Sequence, residues 1–405
     1  MAAMLTFLTS YGAEERNSTV VTKPVPSAAE QMNALRKKVD EAETAYLQAS
    51  GDKRETLWKA YCQINDINLV KIFDLARQDP ASGTAFEMFE WIVRNRRIAG
   101  RNFYYTNGIP SVEFLRDYHT ANTNIGKICS KFGWGWPRAC QPVMDFLRIA
   151  ADKNPSRESR GQATLALACI NKIYANIQVV LSDNSFTGNK GWSEENKAEF
   201  LRGVRNQSAE TLWRESGKLL QVVLADYSDC PTGALTNLYR AKLTLGEVAR
   251  VELYDLEHLS VGKVAPEIEG EDLEGNKLKL SDYRGRIVVL SFWASWCGPC
   301  MQMVPSEIKL AERMKGKPFA LVGVNGDAVK SDAKRAVEKE NISWPSFWSK
   351  EGADGPVPTI WNIQGWPIVF VLDPKGMIRF KGQDMNLINQ KVDQLVVQFA
   401  DKNHS

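Results

Sequence analysis

Arg286-Ile287-Val288-Val289-Leu290-Ser291-Phe292-Trp293-Ala294-Ser295-Trp296-Cys297-Gly298-Pro299-Cys300 is the stretch whose reading decides how this chain folds. Its first eight residues form a short, nearly continuous apolar run, the pattern of a strand buried on both faces of a sheet. Two thiols separated by Gly298-Pro299 follow directly. Beyond them Met303, Val304, Ile308, Leu310 and Ala311 are spaced like one face of a helix, which places Cys297 at that helix's N-terminus. Unpaired N–H groups and the positive end of the helix dipole stabilise a thiolate there, lowering the pKa of Cys297 and making it the attacking nucleophile. Cys300, one turn further, is then the buried resolving thiol.

A Cys-x-x-Cys is also half of a zinc site, but tetrahedral zinc needs a second pair of ligands at short spacing. His119, His258 and His404 stand alone, and Cys62, Cys129, Cys140, Cys169 and Cys230 are scattered through the first half of the chain, so no metal is expected. Pro305 falls inside the helix and bends it. Far along the chain, Gly365-Trp366-Pro367-Ile368-Val369-Phe370-Val371-Leu372 opens a second apolar strand with a proline. We read Trp366-Pro367 as a cis peptide facing the dithiol, its preceding backbone offering strand-like hydrogen bonds to a substrate peptide; the alternative is a trans proline at a strand start.

With these features in place, residues from 261 to about 400 resemble the TlpA/ResA branch of the thioredoxin-like proteins. Val264-Ala265-Pro266-Glu267-Ile268 with Gly270 to Leu280 is similar to its N-terminal hairpin, and Leu280-Ser281-Asp282-Tyr283-Arg284-Gly285 to its lead-in to the central strand. Phe319-Ala320-Leu321-Val322-Gly323-Val324-Asn325 resembles the next parallel strand, Asp327 to Glu340 the branch's helical insertion, and Leu372-Asp373-Pro374-Lys375-Gly376 its late hairpin turn. The whole chain also resembles planctomycete-type bacterial proteins in which a helical N-terminal region precedes a redoxin domain, with Asn154-Pro155-Ser156-Arg157-Glu158 and Gly161 among the matching positions.

The resemblance implies a redox site made of Cys297 and Cys300, supported by Trp296, Gly298, Pro299, Trp366 and Pro367. Two positions depart from it. Many thioredoxins carry a buried Asp six residues before the first active-site Cys to manage protons, and here that residue is Ser291, a hydroxyl that cannot replace a carboxylate near neutral pH. Asp327 and Glu351 are the other proton-handling candidates. Trp366 stands where relatives carry a smaller or β-branched residue, so an indole reshapes the substrate groove. Trp296 and Trp366 are candidates for an aromatic rim facing a partner, whereas Trp293 is expected in the core.

Composition bounds the rest. With 405 residues, 44% hydrophobic and 24% charged, the chain has length for two cores. A net charge of +3, from 51 basic and 48 acidic residues, gives no reason to invoke nucleic acid, and no run has the apolar length of a membrane span. The resemblance implies the periplasm or cell envelope, yet Met1 to Ala13 makes a poor export signal, with a short apolar part interrupted by Thr6 and no basic start; a cytoplasmic location stays open. Cys129 and Cys140 flank a Gly/Trp/Pro-rich loop and form either a bridge or two structural thiols.

The first 260 residues read as helical. Ser27-x-x-Glu30 is a capping box opening a helix to Gln48, and Gly51 breaks the pattern. Asp79-Pro80 reads as an N-cap and first-turn proline leading into Phe86, Phe89 and Val93. Ala166, Ile170, Ile173, Tyr174, Ile177 and Leu181 form an apolar stripe, as do Leu212, Leu219, Leu220, Val223, Leu224 and Tyr227. No repeat signature recurs. The expected architecture is therefore multidomain, α followed by α/β. Residues 1–26 form a flexible arm, 27–259 an α-helical bundle or irregular solenoid, 260–266 a short junction, and 267–405 a thioredoxin fold with a mixed sheet flanked by helices.

The leading expectation is a thiol-disulfide oxidoreductase needing no cofactor. It would reduce disulfide-bearing client proteins, be recharged by an upstream dithiol donor, and use its helical domain to dock partners; the thioredoxin-like Gly-Pro spacer favours net reduction. A thiol peroxidase is the alternative, but it needs a Thr or Ser three residues before the reactive Cys, and that position is Ala294. A third reading makes the chain a protein-interaction scaffold with an accessory redox domain.

Overall fold

Helix starts in the N-terminal half follow local capping chemistry. The computed structural model describes residues 26–95, 109–132, 141–182, 207–233 and 243–400. In α1 (Ala28–Leu47) the Ser27 hydroxyl accepts from the Glu30 N–H while the Glu30 carboxylate accepts from the Ser27 N–H, the reciprocal pair the sequence predicts. Gly51, at φ 59°, starts α2 (Asp52–Ala76). The start of α3 (Gly83–Asn95) is a correction. Its cap is Ser82, whose hydroxyl accepts from the Ala85 N–H at 3.1 Å, not Asp79. Asp79-Pro80 forms the turn before it, because the Asp79 carbonyl accepts from Ser82 N and the Pro80 carbonyl pairs with buried His119.

The remaining helices are α4 (Ile109–Tyr118), α5 (Gly126–Phe132), α6 (Gln141–Lys153), α7 (Arg157–Ser182), α8 (Ala209–Asp226) and α9 (Leu245–His258). α7 is the axle of this half. The sequence predicts a stripe, but residues 161–172 are buried all round. Ala166, Leu167 and Ile170 face a large core with α1 to α6, while Leu165, Ala168 and Cys169 face a second core with α8 and α9. The alanines let neighbours approach from both sides. The side chains of Ile177 and Leu181, the arm at 1–25, and Cys140 lie outside the described residues; Cys129 is a buried free thiol.

The Asn154-to-Gly161 motif is a structural joint. The Asn154 amide donates to the Thr120 and Asn122 carbonyls, Arg157 reaches Asp229 and the Asp226 carbonyl, and a Cβ at Gly161 would fall 2.8 Å from Tyr227 and Leu245.

Beyond α9 the chain changes period. A short hairpin, β1 (Glu269–Glu271) with β2 (Lys277–Lys279), precedes the central strand β3 (Ile287–Trp293), every residue of which is buried. β4 (Phe319–Asn325) pairs with β3 in parallel, and β5 (Ser346–Trp348) with β4. On the other side β6 (Ile368–Leu372) runs antiparallel to β3, and β7 (Ile378–Gly382) antiparallel to β6. The order β5-β4-β3-β6-β7, covered by α10 (Gly298–Arg313), α11 (Lys330–Glu340) and α13 (Met385–Ala400), with the short α12 (Pro356–Ile360) before β6, is a thioredoxin-like mixed sheet flanked by helices. Alternation divides the core. Val289 and Trp293 face α10, whereas Val288, Leu290 and Phe292 face the layer holding Trp361.

The two halves are joined closely. Gly262 N donates to Ile378 O, Ala265 N to Gly376 O and Ile378 N to Lys263 O, so the segment after α9 is stitched to the β6–β7 hairpin. Nearby, Lys172 of α7 pairs with Glu252 and with Asp255 of α9 (2.5 Å to the latter), and Lys381 of β7 takes the other Asp255 oxygen at 2.5 Å. Two cations and two anions balance in a largely dry site. The flanking lysines hold the Asp255 carboxyl far below its ordinary value against the opposing effect of burial, and the carboxylates raise Lys172.

Lys172→Met should therefore destabilise by about 3–5 kcal/mol in denaturant titration, because Glu252 and Asp255 lose a buried counter-charge. With Asp255 depressed on folding, its contribution is fully present above the unfolded carboxyl value and is lost only as pH falls towards the depressed one. The wild-type advantage over the variant should shrink in strong acid.

Candidate active site

β3 ends at Trp293, and the chain turns through Ala294 to Trp296 before α10 begins. Cys297 is the N-cap of α10, and its sulfur accepts the Cys300 N–H at 3.1 Å, satisfying one of the orphan donors of the first turn. Pro299 sits in that first turn, where its missing N–H removes no intrahelical bond. Cys297 and Cys300 are joined as a disulfide with Cα atoms 5.2 Å apart. Cys297 is 4% exposed and Cys300 1%, while Gly298 and Pro299 are exposed. Pro305 lies within the helix.

The peptide Trp366–Pro367 is cis, as read from the sequence. Trp296, 53% exposed, meets half-buried Trp366 edge to face at 5.7 Å, and Trp366 meets buried Phe292 at 6.4 Å. The Trp366 indole is seated on Gly326, where a Cβ would fall 2.5 Å from the ring. An aromatic residue before Pro367 is thus accommodated by a missing side chain on the loop after β4. Trp293 is in the core, its indole N–H donating to Ser346.

Of the proton-handling candidates, Asp327 and Glu351 line one cleft, and Ser291 lies apart from them inside the sheet core. Asp327 is buried, and its oxygens accept from the Ser295 N–H and hydroxyl at 2.9 and 2.6 Å and from the Asn325 amide at 2.7 Å. It fastens the loop before Cys297 to the end of β4. Glu351 is exposed on the wall of a cleft of about 430 Å³ beside Trp296, with Asp327, Asp332 and Asp354 also lining it. Ser291 lies inside, on the α10 side of β3, near a buried carboxyl that the sequence reading passes over, Glu307.

Glu307 is 3% exposed, and one of its oxygens has no partner among the described residues. Burial pushes its carboxyl up to about 7, with the nearby Ser291 hydroxyl opposing. It follows Cys300 and Val304 on one helical face, a position where the pattern demands an apolar side chain. That misplaced acid is the signal the sequence offers. Elsewhere, burial pushes the Cys129 and Cys169 thiols up, away from reactivity. The position three before Cys297 is the buried methyl of Ala294, with no donor for a peroxide. Among the described residues no group of His, Cys, Asp and Glu is arranged to hold a metal ion, and no helix is long and apolar enough to cross a membrane.

Such a site, with two sulfurs at a helix N-terminus beside a proline-led strand, can make and break one disulfide. The AhpC/TSA family matches residues 261–381. The thioredoxin-like protein YneN of Bacillus subtilis is 31% identical over 121 residues, which cover 29% of this chain and 68% of that protein. Thiol-disulfide oxidoreductase ResA of Geobacillus kaustophilus is 29% identical, covering 30% and 68%. Among solved structures, the thioredoxin domain of a thiol-disulfide oxidoreductase from Bacteroides vulgatus is 32% identical, covers 34% of this chain and 98% of its own, and superposes with a TM-score of 0.32. Through its C-terminal third the chain belongs to the AhpC/TSA redoxin family, as a thioredoxin-like thiol-disulfide oxidoreductase.

Proposed function

We propose that Cys297 and Cys300 are the exchanging pair and that the protein reduces disulfides in client proteins. The observation that carries this reading is the placement of both sulfurs at the start of α10, bonded to each other, with Cys297 also taking the Cys300 N–H. In the reduced protein the Cys297 thiolate attacks one sulfur of a client disulfide. A Cys297–client bond forms, and the other client sulfur leaves with the electron pair and takes a proton. Cys300 then attacks the Cys297 sulfur, the internal disulfide forms, and the second client thiolate is released. The client gains two electrons and the protein loses two. An upstream dithiol donor reverses the sequence to restore the pair.

Helix polarity supports the division of roles. Negative charge on the Cys297 sulfur is stabilised at the N-cap, whereas Cys300, inside the first turn and 1% exposed, is unreachable by a bulky client. Trp296, Trp366 and Pro367 are the proposed client-facing rim, with the backbone before Pro367 available for strand-like pairing. The helical half is proposed to dock partners, supported by large apolar side chains its cores leave exposed, such as Leu47 and Trp58. Resemblance to envelope redoxins supports placement in the cell envelope.

Reduction of a model protein disulfide should fall to the uncatalysed rate in Cys297→Ser, and Cys300→Ser should accumulate a mixed disulfide on Cys297. A faster Cys297→Ser enzyme, or a trap on Cys300, would contradict the assignment. Redox titration should give a potential nearer about −270 mV than about −120 mV if the direction is reductive. Client capture by Cys300→Ser should weaken on adding Trp58→Ala if the helical half docks partners, and stay unchanged if it does not. Gly326→Ala should cost about 1–3 kcal/mol by driving a methyl into the Trp366 ring, and Trp366→Leu in the same chain should recover most of it in thermal unfolding.

A further inference from the structure

The turn that joins β3 to α10 carries Trp296 and delivers Cys297, and a carboxylate from another strand holds it. The Cys297 N–H donates to the Ala294 carbonyl at 3.1 Å, which makes Ser295 and Trp296 the central residues of a β-turn. That bond leaves the N–H of Ser295 unused. Asp327 takes it: its Oδ2 accepts the Ser295 N–H at 2.9 Å, and its Oδ1 accepts the Ser295 hydroxyl at 2.6 Å.

Asp327 is fixed from behind as well. The Asn325 amide donates to Oδ2 at 2.7 Å, the Asn325 Oδ1 accepts the Asp327 N–H at 3.1 Å, and the Asp327 carbonyl accepts the Trp348 indole N–H at 2.9 Å. Beside it the Gly326 N–H donates to the Trp293 carbonyl at 2.9 Å. The carboxylate is thus anchored to the ends of β4 and β5, and the precision of the sheet passes through it to the turn. With three donors on its two oxygens it serves as an acceptor, and its burial is tolerated because it is hydrogen-bonded.

Resting on the dithiol exchange proposed above, we infer that Asp327 is a positioning residue for the nucleophile, holding Cys297 at the N-cap of α10, through Ser295, when the disulfide is open. In the oxidised protein the bond to Cys300 itself keeps the Cys297 sulfur against the first turn of the helix. Reduction removes that tether. What then keeps the sulfur over the Cys300 N–H, where a thiolate is stabilised, is the clamped turn behind it. The clamp also adds a negative charge near the thiolate, an effect of opposite sign, and this difference makes positioning separable from charge. The other charged groups around the turn are Asp332, Glu351 and Asp354 on the cleft walls, Asp332 being paired with Arg335, Lys330 over the Trp348 ring at 5.0 Å, and Glu307 buried on α10. All of these are common to wild type and the variants below.

The full-length reduced chain is alkylated with iodoacetamide across a pH series and read at the Cys297 peptide by mass spectrometry, and its attack on glutathione disulfide is followed by stopped flow. Ser295→Ala keeps every charge but loses the hydroxyl contact, and Asp327→Glu keeps the charge but displaces the carboxylate. Both should move the Cys297 titration upward by about half a pH unit and slow attack at neutral pH by about tenfold. Ser295→Thr, which retains the hydroxyl, should lie closer to wild type than Ser295→Ala. If Asp327 acts by its charge, Ser295→Ala leaves the titration in place and Asp327→Asn moves it down, and that pair of results overturns the proposal. A slowing with no change in titration overturns it too, since that is what a merely structural contact would give. Thermal unfolding of the oxidised variants checks the fold, and if the Asp327 variants do not fold, the Ser295 pair decides. If Cys297→Ser leaves exchange intact, the exchange reading itself fails; if Cys297→Ser abolishes exchange while Ser295→Ala titrates and reacts like wild type, the Asp327 role alone fails.

Discussion

The burial of β3 on both faces governs the C-terminal domain. A strand whose seven residues are all dry must be hydrogen-bonded on both edges and covered on both sides, and this chain meets the demand with β4 and β6 beside it, α10 and α13 on one face, and the Trp361 layer on the other. Once β3 is fixed, its end is fixed, and the turn after Trp293 delivers Cys297 to the start of α10. The same strand sets the β6 register, which puts Ile368 opposite Phe292 and Pro367 one residue before it, beside the turn that carries the thiols. Sulfur chemistry is therefore a boundary condition of the core rather than an ornament on a loop.

Much of this was legible because the core elements announce themselves locally. Arg286 to Trp293 and Phe319 to Asn325 are apolar runs of strand length, and the observed strands differ from them by one residue at most. The capping box at Ser27 is a four-residue signal that needs no tertiary context. Where two local signals competed, the reading went astray. Asp79-Pro80 and Ser82 are both plausible starts for α3, and what separates them is the Pro80 carbonyl's bond to His119, 39 residues away. On α7 the stripe suggested one buried face, and only the packing of α8 and α9 on its second side shows that there are two.

Glu307 was missed for a related reason. A glutamate on a helix reads as solvent-facing, and Ile308 and Ala311, which are only half-buried, drew the apolar face slightly around the helix. Its burial follows from the packing of α10 on β3, which share one core, and is not written in the helix's own pattern. The ion cluster is similarly silent in sequence: Lys172, Asp255 and Lys381 are ordinary charges until helix and sheet bring them together. Local pattern specifies elements; long-range pairing specifies which polar groups those elements trap.

The near-complete burial of Cys297 has a consequence for selection among clients. Cys297 is only 4% exposed, with exposed Gly298 and Pro299 following it and Trp296, packed on Trp366, preceding it, so under the exchange proposed above an incoming sulfur meets little open surface. Nucleophilic exchange needs three sulfurs nearly in line, so the incoming crosslink must enter end-on, on a thin stretch of backbone free to extend. A crosslink set in the interior of a rigid fold cannot present itself that way. Under the proposed exchange, so little open surface favours partners whose crosslinks are mobile and protruding, before any side-chain preference is expressed.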